Sequence, residues 1–142
     1  KLLPRATLMT PNIDEAQVLL DVESIGVEGQ ADAAKQLYDV YGCAVLLKGG
    51  HLPGDPTDLL FDGQEIYRWT HPRLDAVNTH GSGCTLSAAI AAYLSHGLEL
   101  RAAVERGLSA IHHALSNPVE PREGLCLAGL ESVAPSLADC SQ

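Results

Sequence analysis

The sequence predicts an α/β fold built on a mainly parallel sheet. Three observations carry that expectation. Apolar runs of strand length at residues 6–9 and 43–47 bracket two stretches of helical spacing, the β-α-β order of a right-handed parallel crossover. A glycine turn at Gly81-Ser82-Gly83 runs directly into an apolar helix. The chain has 142 residues and is 46% hydrophobic, enough to bury the core of one compact unit, with no sign of a second domain.

Each element follows from its local pattern. Residues 6–9 stop at Thr10-Pro11, as a buried strand does on meeting a loop. Residues 12–22 read as a helix, and residues 30–41 as another, with Ala34, Leu37 and Tyr41 on one face and Gly42 placed to end it. The run 43–47 closes at Lys48-Gly49-Gly50, and Pro53-Gly54-Asp55-Pro56 interrupts the pattern. Strands at 58–61 and 65–69 joined by Asp62-Gly63-Gln64 form a predicted hairpin, whose Tyr67 and Trp69 share one packed face. A helix beginning at Ser82 or Gly83 should bury Leu86, Ala89, Ile90 and Tyr93 and end at Gly97. The next, from Glu99, carries Leu100, Val104, Leu108, Ile111 and Leu115 as one stripe and stops at Asn117-Pro118. From residue 119 the pattern is too weak to assign structure.

The segment Asn78-Thr79-His80-Gly81-Ser82-Gly83-Cys84-Thr85 has the features of an anion cradle. The first N–H groups of a helix lack intrahelical partners and sit at the positive end of its dipole, so a phosphate fits there without a basic side chain. Gly81 and Gly83 can take positive φ and admit a ligand close to the backbone, and Ser82 and Thr85 add hydroxyl donors. Cys84 occupies the helix start, where a thiolate is favoured. Asn12, Lys48 and the Gly81–Cys84 turn each follow a predicted strand, and ligands of open α/β sheets bind beyond the carboxyl ends of the strands. The three therefore converge on one phosphate-transfer edge. Structural alternatives stand beside these roles. Asn12 and Glu15 also spell a capping box, Lys48 could be a solvated strand-end lysine, and Cys84 a buried small residue. For His51 and His80, loop hydrogen bonds are the simpler reading.

Three motifs, in order, resemble the hydroxymethylpyrimidine/phosphomethylpyrimidine kinases of the ribokinase-like superfamily: Thr10-Pro11-Asn12-Ile13-Asp14-Glu15, Lys48-Gly49-Gly50-His51, and Asn78 through Ala89 with Cys84 where most of the superfamily carries Asp. The resemblance runs from about Leu3 to about Ala114 and fades over 117–142. It implies a three-layer α/β/α domain of which this chain is the C-terminal half. The chain starts at Lys1 and soon enters a strand, which fits a piece of something larger. It further implies phosphorylation of 4-amino-5-hydroxymethyl-2-methylpyrimidine and of its monophosphate for thiamine biosynthesis. ATP would be held by Asn12, Lys48 and Thr79, and Mg2+ by Glu15. Gly81, Ser82, Gly83 and Cys84 would form the catalytic turn, Cys84 taking the proton from the alcohol. The missing N-terminal half would supply most of the pyrimidine pocket. A pyridoxal kinase-like enzyme and a non-catalytic nucleotide-binding fragment are the alternatives.

Composition excludes other partners. A net charge of −9 with only nine Lys and Arg argues against nucleic acid and anionic membranes. No apolar run reaches the roughly 18 residues of a membrane span and no signal-peptide layout appears, so the chain reads as soluble and cytoplasmic. The four cysteines, at 43, 84, 126 and 140, lack metal-like spacing and read as free thiols. An open sheet edge would allow self-association.

Overall fold

In the computed structural model, residues 2–74, 81–117, 119–122 and 125–127 are described. They fall into two compact units, Lys1–Arg73 and Leu74–Gln142. The first begins with a 3-10 turn, Leu3–Arg5, with Pro4 in its opening positions, and a two-residue strand β1, Leu8–Met9. Helix α1 spans Ile13–Leu20, ending earlier than its apolar spacing suggested because Asp21 turns into the left-handed region at φ 54°. Asp is among the few non-glycine residues that tolerate that conformation. Helix α2, Gln30–Tyr41, closes at Gly42 with φ 70°, the glycine expected to end it. Strand β2, Ala44–Leu47, follows at once and is buried along its whole length.

β1 and β2 are parallel, with Leu8 opposite Ala44. Beyond them the predicted parallel sheet gives way: β3, Thr57–Phe61, runs antiparallel to β2, and β4, Ile66–Thr70, antiparallel to β3. The α/β class holds, but the sheet of order β1-β2-β3-β4 is mostly antiparallel. The reason lies in the connection. Only residues 48–56 join β2 to β3, without a helix, and a parallel return needs a crossover of about a dozen residues or more. The β3–β4 hairpin appears as predicted. Its turn is organised by Asp62, whose Oδ1 accepts the backbone N–H groups of Gln64 (2.8 Å) and Glu65 (2.7 Å), holding that carboxyl below the usual range. Gly63, at φ 101°, lies under the Tyr38 ring, which stacks edge-on against Phe61. Tyr67 and Trp69 lie 6.3 Å apart on β4, sharing a face as expected.

The core of this unit joins Met9, Ile13, Ala16, Leu37, Val45, Leu47 and Leu59, so α1 and α2 cover one face of the sheet. Leu46 and Leu60, which alternate to the other face, are fully buried as well.

In the second unit, α3 spans Ser82–Ser95 and α4 Leu100–Ser116, and the two pack together. Their seam differs from the predicted stripe. Leu100 and Leu115 are only half-buried, and small residues take their place: Ala103, Gly107 and Ala114 are buried beside Val104, Leu108 and Ile111. A Cβ on Gly107 would stand 2.7 Å from Ile90 Cγ1, so the glycine sets how closely the helices approach. After α4, β5 (Val119–Arg122) and β6 (Leu125–Leu127) pair as an antiparallel hairpin, where no structure was assigned from sequence. Glu123-Gly124 between them is outside the strong two-residue hairpin signals, and Pro121 weakens the strand pattern.

Candidate functional site

The carboxyl ends of β1 and β2 lie side by side. Pairing resumes beyond them as an isolated parallel bridge between Asn12, three residues past β1, and Lys48, one past β2, with the Lys48 N–H donating to the Pro11 carbonyl at 2.9 Å. Asn12 also begins α1. Its Oδ1 accepts the Glu15 N–H at 2.7 Å, and Glu15 Oε2 accepts the Asn12 N–H at 2.7 Å. The capping box is therefore formed, and it fixes Asn12 and the exposed Glu15 carboxylate at the start of α1. On the same first turn, Asp14 pairs with His51 at 2.6 Å, the loop hydrogen bond anticipated for that histidine.

The antiparallel entry of β3 adds a residue that sequence reasoning missed. Continuing the register of Leu47 opposite Leu59 brings Asp58 beside Lys48. Asp58 Oδ1 accepts the Gly49 N–H at 2.9 Å. Burial pushes this carboxyl above its ordinary range, against the Gly49 hydrogen bond and the charges of His71 and Lys48, which pull it down. Gly49 has no room for a side chain, because a Cβ would run into the Thr57 carbonyl oxygen and stand 2.8 Å from Gln30 Nε2. Gln30 is itself buried and donates to that carbonyl at 3.1 Å. Gly50 meets nothing within 4 Å. The two glycines after Lys48 thus have different duties, the first demanded by packing.

A second missed residue, Arg73, lies just beyond β4. Its Nε donates to the Gly54 carbonyl (2.8 Å), Nη1 to Gly50 (3.3 Å) and Nη2 to Leu52 (2.5 Å), while its backbone N–H donates to Asp55 Oδ1 (3.1 Å). A lone Arg in a Pro-containing stretch gives no sequence signal for such a role.

In the second unit, Gly81 stands at φ 82° as the residue before α3, and no atom lies within 4 Å of where its Cβ would be. No side chain among the described residues caps the helix. The N–H groups of Ser82, Gly83 and Cys84 occupy its first turn, and Thr85 N–H makes the first helical bond, to the Gly81 carbonyl at 3.0 Å. Two expectations change here. The Thr85 hydroxyl donates to the Gly81 carbonyl at 3.0 Å instead of adding to the anion donors, and Gly83 adopts helical backbone without positive φ. Cys84 is exposed, against the buried-residue alternative, whereas Cys43 is buried and its thiol pushed up by burial. Asn78, Thr79 and His80 lie outside the described residues. Asn12, Glu15 and Lys48 belong to the first unit and the Gly81 turn to the second, and each is described within its own.

Among the described residues no group of three or more His, Cys, Asp or Glu is placed to hold a metal. Magnesium commonly takes one or two carboxylates and completes its shell with water and substrate phosphates, and the Glu15 carboxylate is exposed at the start of α1. No helix among the described residues is long and apolar enough to cross a membrane.

Comparison with known proteins agrees with the motifs. The phosphomethylpyrimidine kinase family matches residues 1–127, reaching past Ala114, where the resemblance read from the sequence fades. Hydroxymethylpyrimidine/phosphomethylpyrimidine kinase of Mycobacterium tuberculosis is 46% identical over 109 residues, 75% of this chain and 40% of that protein. The pyridoxal kinase of Staphylococcus aureus in complex with AMP-PCP superposes with a TM-score of 0.84 at 30% identity, covering 96% of this chain and 50% of the other. A phosphomethylpyrimidine kinase structure from Clostridium difficile gives 0.64 at 31% identity over 78% of this chain and 43% of its own. The chain thus spans half or less of the length of these relatives, and it belongs to the phosphomethylpyrimidine kinase family.

Proposed function

We propose that this chain is the phosphate-handling half of an ATP-dependent kinase that phosphorylates 4-amino-5-hydroxymethyl-2-methylpyrimidine and then its monophosphate in thiamine biosynthesis. The observation that carries the reading is the start of α3, which no side chain among the described residues caps, with Gly81 in the left-handed region and Cys84 exposed on the first turn. Such a terminus offers converging N–H donors to a transferring phosphoryl group. Gly81, Ser82 and Gly83 supply that cradle, and Cys84 is the base that takes the proton of the substrate hydroxymethyl as its oxygen attacks the γ-phosphorus and ADP leaves. Lys48, Asn12 and Thr79 hold the nucleotide phosphates. Glu15 is the carboxylate that would hold Mg2+, which would supply positive charge to offset that of the nucleotide phosphates.

β1 is an edge of the four-stranded sheet, and an N-terminal half adding strands there would complete the pyrimidine pocket. The working enzyme on this reading is soluble and cytoplasmic, its edge closed by that half or by a second copy. Residues 1–142 alone should show no turnover, and the complete protein should phosphorylate both pyrimidine acceptors. Lys48→Ala in the complete protein should slow transfer by about tenfold or more, the scale of a lost charge-assisted contact. Steady turnover by the 142-residue piece, or none by the complete protein, would defeat the proposal. The likeness to a solved pyridoxal kinase supports a second reading, in which pyridoxal is the preferred alcohol. The ratio of kcat/KM for the two alcohols decides between them.

A further inference from the structure

The loop after Lys48 is held from two sides by one hairpin. At its inner end Asp58, on β3, accepts the Gly49 N–H. At its outer end the Arg73 guanidinium takes the carbonyls of Gly50, Leu52 and Gly54, alternate residues whose oxygens turn inward around a single planar fork. Arg73 is delivered there because the β3–β4 ladder continues past Thr57 opposite Thr70, with His71 N–H donating to the Pro56 carbonyl at 3.0 Å. Leu52 N–H closes a turn onto the Gly49 carbonyl at 3.0 Å, and His51 reaches Asp14 on α1. The loop includes a glycine at φ 82°, Gly54, and has no regular structure of its own. Leu52 packs against the core, and these contacts add to that packing in giving the loop a single shape.

We infer that Arg73 is a positioning residue for nucleotide binding: its fork fixes the loop 50–54, and through Gly49 the exit of Lys48 from β2, before ligand arrives. This rests on the assignment of Lys48 to the nucleotide phosphates proposed above. An irregular segment ordered in advance does not have to be ordered at the expense of binding energy. A lysine at this position would offer one ammonium to three separated carbonyls and could not replace the fork. Arg73 is exposed, so its removal leaves the buried core intact.

The test uses the complete protein with R73A and R73K, read by amide hydrogen exchange and by steady-state kinetics. In both variants the amides of residues 50–55 should exchange about tenfold faster or more, while those of Val45 to Leu47 keep their protection. The KM for ATP should rise by about tenfold with kcat within about twofold, since ground-state positioning is what is lost. A purely stabilising role would instead lower the unfolding midpoint and leave the KM for ATP alone. Unchanged exchange in the loop overturns the clamp, as would full rescue by R73K. Faster exchange with an unchanged KM for ATP overturns its link to the nucleotide. Should the native protein prove inactive on both pyrimidine acceptors, the proposed function falls, and the inference is still decided by exchange together with the dissociation constant of AMP-PCP measured calorimetrically.

Discussion

Gly49→Ala isolates the contribution of packing to the site, because its neighbour provides the control. A methyl group at 49 would meet the Thr57 carbonyl, with the carbonyl carbon at 3.0 Å and Gln30 Nε2 at 2.8 Å. Neither can yield cheaply, since Thr57 is held in the β3–β4 ladder and Gln30 is buried and bonded to that same carbonyl. Forcing a methyl group into such a space costs about 1–3 kcal/mol. Displacing the Gly49 N–H from the mostly buried Asp58 carboxylate adds about 1.5–3 kcal/mol, the range for hydrogen bonds to charged groups. Taken together the loss is about 2.5–6 kcal/mol, a large share of the stability of an ordinary domain. Gly50→Ala meets nothing and requires no left-handed backbone, so it should change stability by less than about 1 kcal/mol, with a gain as the favoured sign. In urea, with a slope of about 2 kcal/mol/M, the Gly49 variant should unfold about 1.3–3 M earlier than the parent protein. Circular dichroism of the complete protein measures both midpoints. If the two alanine variants unfold within about 0.3 M of one another, the close approach at Gly49 does not stabilise the fold as argued.

Other outcomes follow from the same site. Cys84→Ala should slow the first phosphorylation about 10²–10⁴-fold and the second far less, because an alcohol needs a base and a monophosphate acceptor is already anionic. Single-turnover rates for each step check this, and equal losses would reassign Cys84 to shaping the cradle. Glu15→Gln can keep the capping box, since Gln also serves at that position, so the unfolding midpoint should hold while the magnesium concentration for half-maximal rate rises. An unchanged magnesium titration would confine Glu15 to its cap. Asp58→Asn should raise stability at neutral pH. The folded protein holds this carboxyl above its unfolded value, so folding loses stability as pH rises between the two, and the variant escapes that loss. Its advantage should vanish as pH falls below the ordinary carboxylate range, where both forms are neutral. An advantage independent of pH would point to a cause other than ionisation.

Residues whose surroundings are set by near neighbours were legible in the sequence. Asn12 and Glu15 form their capping box within four residues, Gly42 and Gly81 take the left-handed backbone their turns need, and the Asp62-Gly63 turn joins β3 to β4. Residues whose meaning depends on pairing direction were not. Asp58 read as the first position of a hairpin strand, and only the antiparallel reversal after Lys48 brings it against Gly49. Arg73 lies 19 residues beyond Gly54 and meets it only because two successive reversals return β4 to the same edge. The two ends of the α4 stripe, Leu100 and Leu115, departed for another reason, while Val104, Leu108 and Ile111 are buried as expected. Helical spacing identifies the inward side, but the closeness of α3 selects Ala103, Gly107 and Ala114 over larger neighbours.

The turn at Asp62 bears on the order in which this architecture is assembled. Its contacts span at most three residues, and the strand pairs it initiates, from Phe61 with Ile66 outward to Thr57 with Thr70, are short-range in sequence. The pairing of β1 with β2 instead joins Leu8 to Ala44 across two helices. Closing a hairpin takes about 1–10 μs, whereas a distant parallel pairing must first overcome the entropy of a long loop. The hairpin should therefore nucleate early, with Asp58 and Arg73 already carried on its open end when β2 docks. High φ-values at Leu59 and Tyr67 and low ones at Leu8 would be the kinetic signature of that sequence, and the reverse pattern would exclude it.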